Sequence, residues 1–225
     1  MKYYFLIAVY LVCCIPAVAQ TPFSIVTDIS VMRNFSPQQK FWALGQRVQG
    51  DFHFTPVNTL YASIQYHTKG SFRNTFMATA DSLTTTPQSV SYTMEGSWRF
   101  RQVSIGWKRY WMGSSQNSNS SNLYSSLGFG LLFSKATNRL LSPVDTSLYQ
   151  LAPSPVEGTD EFKRLTLDLA LGMEQPVADY FYLFGEIRTS VPTSDYPSPL
   201  LHNQKKVPLP IILCFGLRLL FGTGE

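Results

Sequence analysis

Asp51, His53 and Ser63 are the residues of this 225-residue chain whose types and spacing fit catalysis most readily. An acid, an imidazole and a hydroxyl are the parts of a Ser/His/acid hydrolase, in which the imidazole takes the serine proton and the acid holds the imidazole in place. Asp51 and His53 are two positions apart, the spacing of neighbours on one face of a strand. Ser63 lies on the next segment, opposite either Asp51 or His53 according to the pairing register. The competing reading is plainer: three polar side chains lining an interior. The histidines His53, His67 and His202 are too scattered for metal-ligand spacing, so neither a metal nor another cofactor is expected.

The elements that must position these residues show in a period of two. From Leu165 to Met173 every odd residue is apolar, while the even ones run Thr166, Asp168, Ala170 and Gly172. Successive strand side chains point to opposite faces, so one face is oily and the other polar. The same alternation recurs over Ile25 to Val31, Arg47 to Phe54, Leu60 to Lys69, Gln102 to Lys108, Leu123 to Ser134, Phe181 to Arg188 and Ile211 to Phe221. That predicts about eight strands. In the fourth, Arg99 and Arg101 share the odd register of Val103 and Trp107, and Trp98 and Phe100 fall on the even one. A bulge near Gln102, or a strand rising above a bilayer, would each account for the break.

The amino terminus predicts export. Lys2, an apolar run from Tyr3 to Cys14 and the small-x-small ending Ala17-Val18-Ala19 form a signal peptide over 1–19, with residues 20–225 as the mature domain. Cys214 is the one cysteine beyond that cleavage point, so no internal disulfide braces the domain. A formal net charge of +4 is too small to imply nucleic acid. No later stretch approaches the roughly 20 apolar residues of a membrane helix. A chain of this kind enters a membrane as strands.

Connections alternate in length. Thr55 to Asn58 and Gln175 to Asp179 are tight turns, whereas Phe72 to Tyr92, Ala136 to Glu161 and Val191 to Lys206 read as long polar loops. Short turns on one rim and long loops on the other mark a bacterial transmembrane barrel. The Ser/Asn run Ser114 to Asn122 falls on the short side and reads as a flexible connection. A soluble lipocalin-like carrier, with its oily face inward, has the same periodicity. Against it, Gly128, Gly130, Gly172 and Gly216 share the polar face with large charged residues, as a crowded narrow interior requires. Phe54, Tyr61, Trp107, Tyr110, Trp111, Tyr180 and Phe181 gather at the short-turn ends, where an interfacial girdle sits. The oily face is therefore expected to meet lipid, and the lumen to hold an ion-pair network of Asp28, Arg47, Asp51, Lys108, Arg164, Asp168, Glu174, Glu186, Arg188 and Arg218.

With the Ala-Val-Ala signal ending before Gln20, the eight amphipathic strands and the closing "GLRLLF", the chain resembles the small outer-membrane β-barrel domain proteins of the Bacteroidota, similar in architecture to OmpA and OmpX barrels. The resemblance implies that Gly216, Leu219 and Phe221 form the carboxy-terminal signal read by the barrel-assembly machinery. Leu219 departs from the usual aromatic, and Gly222 to Glu225 extend past the end. Asp81-Ser82-Leu83 fits the Bacteroidota O-glycosylation acceptor pattern in an exposed loop. The expected fold is an all-β, up-and-down antiparallel transmembrane barrel in the outer membrane, among its lipids. The expected role is non-catalytic: structural, adhesive, or accessory to an envelope or secretion complex through its loops. The alternatives are a barrel-embedded lipid hydrolase of the lipid A deacylase kind, built on Ser63, His53 and Asp51, and the soluble carrier.

Overall fold

The computed structural model describes residues 22–116, 120–142, 144–194, 200, 202 and 209–222. The expected signal peptide, the centre of the Ser/Asn run, most of the segment from Asp195 to Pro208 and the last three residues lie outside them. Among the described residues nine strands follow one another: β1 (Phe23–Asn34), β2 (Phe41–Thr55), β3 (Asn58–Ala80), β4 (Ser89–Met112), β5 (Asn122–Leu140), β6 (Tyr149–Gln150), β7 (Gly158–Ala178), β8 (Phe181–Pro192) and β9 (Pro210–Phe221). Each long strand pairs antiparallel with its sequence neighbours, β5 passing directly to β7. The β1–β9 pairing brings the last strand back to the first. The eight long strands thus form an up-and-down barrel, a transmembrane β-barrel fold; its ring is closed up to about His67 and Thr166, above which β3 loses its β2 partner and β7 its β8 partner. Phe23 stacks on Phe221 at the seam, ring centroids 4.9 Å apart. The two-residue β6 pairs only with the far end of β3.

Closure fixes which way each residue points. Val48, Ile64, Ile105, Phe129, Leu169 and Phe215 face outward and exposed, while Asp28, Arg47, Asp51, Asp168, Glu174 and Arg218 face inward and buried. The leucines of β7 therefore point away from the barrel axis, the reverse of a lipocalin-like carrier. Within the girdle, Phe54, Trp107, Trp111, Tyr180 and Phe181 are on the outside, but Tyr61 and Tyr110 are buried in the lumen. Their parity settles it: each is one residue out of step with its exposed neighbour, Leu60 or Trp111.

Of the segments read as long polar loops, Phe72 to Tyr92 is mostly strand and Ala136 to Glu161 is strand at both ends, while most of Val191 to Lys206 lies outside the described residues. β3 and β4 continue to Ala80 and from Ser89, and β5 and β7 to Leu140 and from Gly158, so this side of the barrel stands well above β1, β8 and β9. The break at Arg99 to Val103 has its cause here. β4 pairs with β5 without interruption from Met94 to Tyr110, so no bulge occurs at Gln102. The strand rises instead, Arg99 and Arg101 staying outward while Trp98 and Phe100 turn in. The backbone keeps its alternation, and the medium outside changes from hydrocarbon to water. A bulge does occur in β3, between His67 and Gly70, and it turns Lys69 outward instead of onto the polar face. Above the rim, Ala78, Tyr92, Met94 and Tyr149 form a second small core over which the β5–β7 connection folds back.

Neighbouring residues of β7 should therefore respond in opposite ways. Leu169→Arg places a charge against hydrocarbon and should cost about 2 to 4 kcal/mol. Asp168→Asn keeps a polar group of the same shape inside and should cost less. Urea unfolding in lipid vesicles orders the two; a tolerated arginine at 169 would contradict the outward leucine face.

Candidate functional site

The barrel interior has two layers, each produced by strand parity. In the lower layer Asp28 of β1 lies opposite Arg47 of β2, and their Oδ2 and Nε are 2.6 Å apart. Arg47 also reaches Glu186 across the lumen (3.1 Å), and Glu186 binds Arg188 (2.7 Å) and accepts from the Tyr124 hydroxyl (3.0 Å). A second cluster centres on Glu174, which holds Lys108 at 2.5 Å and Arg218 at 2.9 Å; Lys108 is 3.6 Å from Asp51. Gln49 joins the clusters, accepting from Arg47 (2.9 Å) and donating to Asp51 (2.7 Å). The Lys108 ammonium lies over the Tyr124 ring and the Arg218 guanidinium over the Tyr182 ring, at 3.7 and 3.8 Å. Removing one member of such a network strands a buried charge at a cost of about 3 to 5 kcal/mol, so the clusters fix the barrel's internal register.

Two expected members stand elsewhere. Asp168 is buried, yet the groups on its carboxylate are neutral: Gln102 Nε2 at 2.7 and 2.8 Å, Ser104 Oγ at 2.6 Å and Thr166 Oγ1 at 3.0 Å. Gly130 makes this possible, since a Cβ there would come within 2.3 Å of the Gln102 amide. Arg164 is on the inward parity but only half-buried, near the outer boundary, with its guanidinium donating to the Lys163 carbonyl (2.8 Å).

The upper layer is aromatic. Phe41 stacks with Phe72 and Phe100, and Trp98 with Phe100 and Phe162, at centroid separations of 5.7 to 6.2 Å. Met32, Leu132 and Ile212 pack into the same cluster. Between the layers, beside His67 and Gln102, remains a cavity of about 20 Å³, room for about one water. In the sequence Trp98 and Phe100 show only as a parity break, which does not by itself reveal this plug. The signal was an apolar parity that changes face at the same height on β4, β5 and β7.

The hydrolase parts are not assembled. Ser63 pairs with Gln49, Asp51 with Tyr61 and His53 with Thr59, so Ser63 is opposite neither Asp51 nor His53. His53 instead bonds Ser24 through Nε2 (2.6 Å) and Thr59 through Nδ1 (2.8 Å). Ser24, which periodicity alone does not single out, also accepts from Arg218 (3.1 Å) and is fully buried, out of a substrate's reach. No group of three or more His, Cys, Asp or Glu suited to a metal occurs among the described residues. Of the implied assembly signal, Gly216 takes an inward position against β1, where a Cβ would meet the Thr27 carbonyl at 2.1 Å, while Leu219 and Phe221 face outward.

Over the plug sits His202, buried although it belongs to the β8–β9 connection. The Asn74 amide donates to its Nδ1 (2.8 Å), and its Nε2 donates to Asn138 Oδ1 (3.2 Å). Both amides are oriented by other carbonyls: Asn74 Nδ2 also donates to Gln38 O (2.6 Å), and Asn138 Nδ2 to Leu200 O (2.7 Å). The ring is thereby held neutral, and burial lowers its pKa to about 4.

No protein-family model matches the chain, and no curated protein matches it. Solved structures do match. They include the outer membrane protein OprG from Pseudomonas aeruginosa (11% identity over 89% of this chain and 96% of that one, TM-score 0.50) and Ail, the attachment invasion locus protein of Yersinia pestis (13%, 90% and 99%, TM-score 0.49). Neisserial surface protein A matches at 11% identity over 88% of this chain and 96% of its own, with a TM-score of 0.49. At 11% identity the likeness to OprG is one of fold alone: the outer-membrane β-barrel.

A histidine with a depressed folded pKa gives a definite pH dependence. The undocked ring takes up a proton below about 6.5 and the docked ring only below about 4. Docking of His202 should therefore weaken as pH falls from about 6.5 to 4, with no further loss from this group below that. Limited proteolysis of the β8–β9 connection against pH should show the change in the native protein and not in His202→Asn.

Proposed function

We propose that the chain is a non-catalytic integral outer-membrane barrel whose work is done by its raised outer side, as a structural or adhesive surface or a docking partner of an envelope or secretion complex. The observation that carries this reading is the filled interior. An ionic layer and an aromatic layer occupy the described lumen, with a cavity for about one water between them, and this packing argues against a pore or a substrate chamber. Investment has gone instead into the β3–β7 side, with its long strands, its second core and its back-folded connection. Outer-membrane lipid would surround the belt, and the barrel-assembly machinery would read Gly216, Leu219 and Phe221. The Bacteroidota assignment, the leader over 1–19 and the Asp81-Ser82-Leu83 acceptor rest on sequence features alone; Leu83 is fully exposed at the β3–β4 tip, as such an acceptor requires.

Fractionated cells should yield the protein in the outer membrane, migrating faster in unheated than in heated SDS gels, because a closed barrel keeps its hydrogen bonds until heated. Ser63→Ala and His53→Ala should leave the lipid A mass spectrum unchanged. A monodisperse, detergent-free protein in the periplasm would overturn the membrane reading, and altered acylation in a folded variant would overturn the non-catalytic one.

A further inference from the structure

The outer wall carries a feature that neither the lumen nor the raised surface uses. One cross-strand row runs Tyr66, Arg101, Phe133, Lys163 through three successive strand pairings. The row above it holds Arg99, Lys135 and Glu161, and the β3 bulge sets Thr68 and Lys69 together opposite Arg99. The row below is apolar and exposed: Ile64, Val103, Leu131 and Leu165. A groove of about 530 Å³ runs across these rows, lined by Tyr66, Arg99, Arg101, Phe133 and Lys163 among others.

Charge is lopsided here. Five exposed cations, Lys69, Arg99, Arg101, Lys135 and Lys163, face one carboxylate, Glu161, which Lys135 already holds at 3.1 Å. Arg99, Arg101 and Lys163 have no carboxylate partner among the described residues. Arg101 lies over the Tyr66 ring, 5.9 Å from its centroid, and on the shorter side Arg33 lies over Trp42 at 4.7 Å, with no second cation in its row. The cluster is confined to β3, β4, β5 and β7, at the height where the wall passes from hydrocarbon to water.

We propose that these rows bind a phosphorylated lipid of the outer leaflet, with Arg99, Arg101 and Lys163 on its phosphate and its acyl chains lying down Ile64, Val103, Leu131 and Leu165. Guanidinium groups bind phosphate oxygens through paired N–H donors, and strongly where water is scarce. A soluble anion would gain nothing from the apolar row directly beneath, whereas a lipid fills both. The inference rests on the barrel standing in a membrane.

The test is a titration of the folded protein in phosphatidylcholine vesicles with diphosphorylated lipid A, dephosphorylated lipid A and inorganic phosphate, reading bound lipid by native mass spectrometry. Diphosphorylated lipid A should bind best, and Arg101→Ala/Lys163→Ala should weaken it about tenfold or more. Arg73→Ala/Arg139→Ala, higher on the raised side, should leave it unchanged. Heat-modifiable migration reports folding; if the double variant misfolds, Lys163→Gln and the charge-keeping Arg101→Lys/Lys163→Arg read the same site, the first weakened and the second retained. Equal binding by the double variant or by dephosphorylated lipid overturns the proposal, as does competition by inorganic phosphate at matching concentration, which would mark a free-anion site. Failure of the native protein to insert into plain phosphatidylcholine vesicles would remove the membrane reading itself; insertion without a lipid preference removes the lipid site alone.

Discussion

Backbone N–H and C=O groups in hydrocarbon have no water to bond, and a sheet can stand there only if its last strand returns to its first. The β1–β9 pairing supplies that return, register-matched from Phe23–Phe221 to Asn34–Pro210. Once the ladder is closed, alternate residues have no choice of side. Slipping β7 by one residue would carry Asp168 and Glu174 into lipid and the leucines into a lumen already full, so the ionic clusters and the oily belt enforce the same register from opposite faces. Interior glycines belong to this constraint. A Cβ on Gly172 would meet the Tyr124 ring at 2.4 Å, and Tyr124 is the side chain that bonds Glu186.

The boundary between lipid and water is written across the strands at one level. Val103, Leu131 and Leu165 share a row of outward apolar residues, and the next row up holds Arg101 and Lys163. Above that level the interior becomes the dry side. Phe72, Trp98, Phe100 and Phe162 turn in while charges turn out, as in a water-soluble sheet. The protein is thus inside-out in its lower half and conventional in its upper half, on continuous strands. The aromatic plug is the core of the upper half, and the ionic layer serves in place of a core in the lower.

Much of this was legible in the residues. The eight amphipathic segments, the oily belt on the odd residues of β7 and the inward charges of β1, β2, β8 and β9 follow from a period of two, which a one-dimensional string displays directly. The heights of β3, β4, β5 and β7 were not, because alternation that changes sign where the medium changes looks like a strand ending; Arg99 to Val103 carried the information in that form. Cross-strand partners were also hidden. Ser63 meets Gln49, and Asp168 meets Gln102 and Ser104, through the His53–Thr55 irregularity at the β2–β3 turn and the β4–β5–β7 register. Turn geometry at single residues sets those registers, and periodicity does not contain it. The neutral shell of Asp168 shows the limit well: its face could be read, its neighbours could not.

A filled barrel with a boundary this sharp leaves function to its outer surface and wall, and that assignment depends on the wall standing in lipid. Reagent accessibility along β7 tests this most directly. Single cysteines placed in turn at 165 to 174 in a Cys214→Ala background, spin-labelled in lipid vesicles, should give oxygen collision rates high at the odd positions and low at the even ones, with a water-soluble relaxation agent excluded from Leu167, Leu169 and Leu171. Free access of the water-soluble agent to those odd positions, or rates with no period of two, would contradict the account.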